Sequence, residues 1–105
     1  MYYLVQGNTA SQIKVQLTRN DTGLPADLTD AEIFLKIRNK ENTEEPQIVL
    51  TGTISDLAFS EVVFLFGFAI DNMEGYYEAE VEVVYTSGLI ESVYELIPIK
   101  VRKEF

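Results

Sequence analysis

Hydrophobic and polar positions alternate along most of this chain, with a period of two. The clearest run is Gly75-Tyr-Tyr-Glu-Ala-Glu-Val-Glu-Val-Val-Tyr85. Within it Tyr77, Ala79, Val81 and Val83 fall on one side, and Glu78, Glu80 and Glu82 on the other. This spacing predicts an extended strand with one dry face and one wet face, because a helix would scatter both sets around its circumference. Residues 11–18 repeat the pattern, with Ile13, Val15 and Leu17 opposed to Gln12, Lys14 and Gln16. Residues 31–38 do so again: Ala31, Ile33, Leu35 and Ile37 face one way, and Glu32, Phe34, Lys36 and Arg38 the other.

Weaker patterns complete the set. Residues 2–6 read as a first strand, broken by Gly7-Asn8, and residues 47–54 are rich in strand-forming side chains. Residues 61–68 form an apolar strand, and the hairpin signal Thr86-Ser87-Gly88 leads into a long last strand over 89–102. The segments between are turn-like or polar: a turn over 19–25, an irregular link over 26–30, a loop over 39–46, a break at Ser55-Asp56 and a turn over 70–75. Residues 57–60 read as irregular, or as one short helical turn. Pro98 has no amide hydrogen, which predicts an edge or a bulge where it sits.

About seven strands, with turn signals every 8–15 residues or so and no helix, describe an all-β chain. An antiparallel two-sheet sandwich fits this spacing, and a small closed barrel is the rival. The length of 105 residues suits one domain spanning 1–105. A chain of this size buries roughly 65% of its unfolded surface, enough for a core without staples.

Composition narrows the chemistry. There is no cysteine and no histidine, so disulfides, thiolate metal sites and the usual neutral-pH general base are excluded. Seventeen acids against eight bases give a formal charge of −9, which disfavours nucleic acid and anionic membrane surfaces as partners. The longest apolar run, residues 62–70, is too short to span a bilayer. The first residues lack a basic region and a small-residue cleavage site, and so read as a strand rather than a signal peptide.

The acidic row Glu78, Glu80 and Glu82 reads as a solvated strand face, since alternate residues lie about 6.5–7 Å apart, wide for two ligands of one calcium ion. Asp27 and Asp30 near Asp21, and Asp71 with Asn72 and Glu74, read as turn chemistry. No pair of carboxylates is marked out, serine catalysis lacks its base and no phosphate-binding glycine loop occurs. The expectation is a protein that is not an enzyme, with no catalytic residue, no cofactor and no metal.

Aromatic residues remain. Phe64, Phe66 and Phe68 share one face of the 61–68 strand, offset from Val63, Leu65 and Gly67, so both faces are apolar. Either the chain's own loops cover the second face, or it is a contact surface. Tyr2, Tyr3, Tyr76, Tyr85 and Tyr94 read as packing residues with wet hydroxyls, with stacking on sugar rings as the alternative. Tyr76 and Tyr77 follow a glycine at a strand start, where a tyrosine corner is expected.

The break Gln6-Gly-Asn-Thr9, the link from Asn20 to Ala31, the strand Phe34-Leu-Lys-Ile-Arg-Asn39 and the run Gly75 to Val83, taken in this order, together resemble the N-terminal immunoglobulin-like domain of phage upper baseplate proteins and related small virion proteins. Gln6-Gly-Asn-Thr9 resembles the break before that family's alternating strand, here Ile13-Lys-Val-Gln-Leu17. Asn20-Asp-Thr-Gly-Leu-Pro-Ala-Asp-Leu-Thr-Asp-Ala31 is similar to its Asp/Gly/Pro-rich link, with Asp30 where the family pattern has glycine. Phe34-Leu-Lys-Ile-Arg-Asn39 resembles the next strand, and the run Gly75 to Val83 its glycine–tyrosine–acid strand. The long helix and further domains of full upper baseplate proteins are absent from these 105 residues.

The resemblance covers essentially the whole chain. It implies an immunoglobulin-like antiparallel β-sandwich of about seven strands. It also implies a structural role in a phage virion, in tail, baseplate, neck or head surface, made in the host cytoplasm. Other virion proteins or copies of the chain itself would be the partners, with a homo-oligomer left open and neither nucleic acid nor membrane involved. The expected contact surface is Phe64, Phe66 and Phe68, with Tyr2, Tyr3 and Phe105 in support. The rival is a carbohydrate-binding or adhesion module for host cell-surface polysaccharide.

Overall fold

The computed structural model describes residues 1–18, 23–24, 26–92 and 96–103. It is mostly β-strand with almost no helix, so the chain is all-β. Among the described residues, eight strands run in the order β1 (Tyr2–Val5), β2 (Gln12–Gln16), β3 (Glu32–Asn39), β4 (Ile48–Asp56), β5 (Glu61–Leu65), β6 (Gly75–Val84), β7 (Ile90–Ser92) and β8 (Ile97–Arg102). A 3-10 helix, Gly67–Asn72, lies between β5 and β6.

The strands form one path, β1-β8-β6-β3-β4-β5-β2, with β7 attached to β6. Pairing is antiparallel throughout except for β1 and β8, which are parallel. The first half of β4 pairs with β3 and the second half with β5. The path therefore folds round on itself and nearly closes like a barrel, with β1 and β2 at its two free ends. Across that seam the Tyr2 hydroxyl donates to the Lys14 carbonyl at 3.2 Å.

The core follows the alternation seen in the sequence. Ile33, Leu35 and Ile37 of β3 and Tyr77, Ala79, Val81 and Val83 of β6 all point inward. Ile13, Val62, Phe64, Ile99 and Val101 meet them from β2, β5 and β8. Leu17, Leu28, Phe66, Ile70 and Met73 close the core from the connecting segments. Full burial of one such aliphatic or aromatic side chain stabilises by about 1.5–3 kcal/mol.

Two expectations are corrected. The strand foreseen over 61–68 stops at Leu65, because Phe66 turns helical and Gly67 takes a φ of 55°, which starts the 3-10 helix. The long last strand is split into β7 and β8, which both pair with β6 at different heights. Although β8 as a whole runs between β1 and β6, Pro98 itself is paired on one side only, with Glu78 of β6, because β1 pairing begins opposite Ile99, one position past the proline.

The tyrosine corner is present. Tyr77 is buried, and its hydroxyl accepts a 3.0 Å hydrogen bond from the Glu74 amide. This pins the turn that enters β6.

Candidate functional site

The expected contact surface does not survive as a unit. Phe64 and Phe66 are 0% and 2% exposed and belong to the core, so they are not free for a partner. Their side of β5 is the inner one. Phe68 is 80% exposed. It would have pointed inward had the strand continued, but the break at Gly67 rotates it out. Tyr2 is half-buried against the core, and its hydroxyl is engaged across the seam. Tyr3 stands 75% exposed. Phe105 and Tyr94 lie outside the described residues.

Tyr3 does not stand alone. The strand registers place Tyr3 beside Lys100 and Lys100 beside Tyr76, across β1, β8 and β6. The Lys100 ammonium sits 4.6 Å from the centre of the Tyr76 ring. It also donates a 3.0 Å hydrogen bond to the Tyr76 hydroxyl. That hydroxyl raises the Lys100 pKa above its ordinary value. The row is thus a lysine tied to a tyrosine hydroxyl beside a second, exposed tyrosine.

The acidic row on β6 is met by bases from β3. Lys36 pairs with Glu82 at 2.6 Å, and Arg38 is bound to Glu78. The hydrogen bond from Lys36 to Glu82 raises the lysine pKa, against the desolvation that opposes it. Two of the three glutamates are therefore tied into cross-strand pairs, a stabilising motif of sheets.

The loop acids serve their own turns. Asp27 Oδ1 accepts from the Thr29 hydroxyl at 2.7 Å and from the Thr29 amide at 3.1 Å, which holds its carboxyl below the usual range. Asp71 Oδ1 accepts from the Gly7 amide at 3.1 Å and ties the 3-10 helix to the loop after β1. Among the described residues, no group of three or more acids is placed to hold a metal ion. No helix among them is long and apolar enough to cross a membrane.

Sequence reasoning missed a different set of exposed apolar residues. Leu57 and Phe59 in the β4–β5 turn, and Leu89 and Ile90 at the β6–β7 turn, are each more than half exposed. A signal was present for Leu57 and Phe59, apolar residues in an irregular segment where no strand alternation can carry them into a core, whereas Leu89 and Ile90 fall within the foreseen last strand. Leu65 on the outer face of β5 is also exposed.

What the fold and surface define is an all-β protein that nearly closes its sheet and still leaves large apolar side chains in solvent. No family model matches the chain, and no curated protein sequence matches it.

Proposed function

We propose that the chain is an immunoglobulin-like domain acting as a structural component of a phage virion, through contacts with other proteins and without catalysis. The single observation that carries the assembly role is the set of solvent-facing apolar side chains, Leu57, Phe59, Phe68, Leu89 and Ile90. Exposed apolar area of this kind contributes about 25 cal/mol per Å² when a partner buries it, before association costs.

The immunoglobulin-like reading rests on connectivity. The order β8-β6-β3 corresponds to the last, sixth and third strands of that sandwich, and β5-β2 to part of its opposite sheet. The corner at Tyr77 sits on the strand where such domains carry one. Asp30 adds support to the family resemblance. It replaces a glycine of the family pattern, and its φ of 57° lies in the left-handed region that glycine favours.

The assembly role is tested by purifying virions through a density gradient and measuring this chain by quantitative mass spectrometry. A fixed ratio to the major virion proteins is expected. A chain left wholly in the soluble fraction would end the proposal. The polysaccharide-binding alternative has one observation behind it, the exposed Tyr3 and Tyr76 on one face. It is weakened by the Lys100 ammonium, which already engages the Tyr76 hydroxyl. Retention on a glycan array by the purified monomer would restore it.

A further inference from the structure

We propose that the end of the molecule formed by the β4–β5 and β6–β7 turns docks a protein surface that offers an apolar pocket rimmed by lysine and arginine. This deepens the assembly reading and rests on it.

The strand directions bring these turns to one end. Gln16, at the end of β2, and Asp56, at the end of β4, both pair with Glu61, at the start of β5. Val84, at the end of β6, pairs with Glu32 at the start of β3 and with Ile90 at the start of β7. Backbone bonds tie the β4–β5 turn to the end of β2 and to the link that follows it. The Leu17 amide donates to the Ser60 carbonyl at 3.0 Å, and the Ala26 amide to the Leu17 carbonyl at 3.0 Å. The buried Ser60 hydroxyl donates to the Ala26 carbonyl. The turn that carries Leu57 and Phe59 is thus held on a hydrogen-bonded base. The Phe59 amide is further bound to Asp56 Oδ1 at 3.3 Å, and the Gly88 amide to the Tyr85 carbonyl at 2.9 Å. Apolar anchors on a held frame lose less freedom on binding than anchors on loose chain.

Charge selects the occupant. Asp27, Asp30, Glu32, Asp56 and Glu91 lie on or next to this end. Among the described residues one base reaches this end, Lys14, whose ammonium lies 3.6 Å from the Glu61 carboxylate. Lys36 is at mid-strand, and Arg38, Lys40, Lys100, Arg102 and Lys103 are toward the opposite end. An apolar centre with an acidic rim matches an apolar pocket with a basic rim, the arrangement that steers encounter and rejects wrong partners. A second copy docked tip to tip would set two acidic rims against each other. An anionic membrane would repel the same rim.

The test places a photoreactive benzophenone side chain at position 59, and at position 68 for comparison, in virions assembled with the full chain. The protein crosslinked from position 59 is identified and purified, and its binding to the unmodified chain is measured by calorimetry. The expected result is a crosslink from 59 to a different protein, at a peptide bearing Lys or Arg. Binding should then weaken at least tenfold with Phe59→Ser, and again between about 50 and 500 mM salt as screening rises. An unchanged melting temperature of Phe59→Ser would show that the loss is not unfolding. Crosslinks only from 68, crosslinks to a second copy, or flotation of the purified chain with phosphatidylcholine vesicles would each overturn the docking proposal while leaving a virion role standing. Absence of the chain from virions would remove both.

Discussion

Gly52 of β4 lies directly opposite Phe64 of β5, and the phenylalanine ring covers the place where a side chain would be. A Cβ added at Gly52 would come 2.7 Å from Phe64 Cε1 and 2.6 Å from Val62 Cγ1. The site is also where β4 leaves β3 and takes up β5, since Thr51 is its last residue paired with β3 and Gly52 its first paired with β5. A glycine lets the strand bend and a large ring approach the backbone at the same point.

Gly52→Ala should therefore destabilise the protein by about 1–3 kcal/mol, the usual cost of overpacking. Urea unfolding measures it. Phe64→Leu should recover part of that loss when combined with Gly52→Ala, giving a coupling in a double-mutant cycle. Additive effects would mean that the ring is not what the new methyl meets.

The phenylalanines divide by environment. Phe64→Ala and Phe66→Ala should each cost about 3–5 kcal/mol, because both rings are buried. Phe68→Ser should change stability by less than about 0.5 kcal/mol, as befits an exposed position. Thermal melts of the three variants check the ordering.

Tyr77→Phe keeps the ring and removes only the hydroxyl that accepts from the Glu74 amide. A loss of about 1 kcal/mol is expected. Hydrogen exchange should show the Glu74 amide losing protection, while the amides of β3 keep theirs.

Ser60 combines a buried hydroxyl with a φ of 54°. Ser60→Ala loses the bond to Ala26 and keeps the backbone strain, with an expected cost of about 1–3 kcal/mol. Ser60→Gly loses the same bond and relieves the strain, so it should be the more stable of the two. The reverse order in urea titrations would contradict the role given to the backbone here.

Two groups make stability depend on pH in opposite directions. The Asp27 pKa is lowered by its bonds to Thr29. Its contribution is present above the unfolded value of about 3.9 and is lost as pH falls through the lower folded value. The Lys36 pKa is raised by its bond to Glu82. Its contribution is complete below the unfolded value of about 10.4 and is lost as pH rises through the higher folded value. Thr29→Val should flatten the acid side of the stability profile, and Lys36→Met the alkaline side.

The legible strands were those with one wet face. In β3 and β6 the alternation named the core residues one by one, because a sheet with a single buried face must place every second side chain inside. β5 was misread for the converse reason. With apolar residues on both faces, its pattern could not say which face was inner, nor that Gly67 would end the run and turn Phe68 outward. The docking end was illegible for another reason. Residues 57–60 and 86–90 are far apart in sequence, and only the strand directions bring their turns to one end.

The sequence by itself determined the all-β class, the inner faces of the regular strands and the poverty of the chain in reactive groups. These follow from local properties: a period of two, and the residue types present. Tertiary structure alone decided that the sheet nearly closes, that β1 runs parallel to β8, and that Phe64 and Phe66 are core while Phe59 and Phe68 are surface. The physical reason is that burial depends on what lies across from a side chain, and that neighbour comes from elsewhere in the chain.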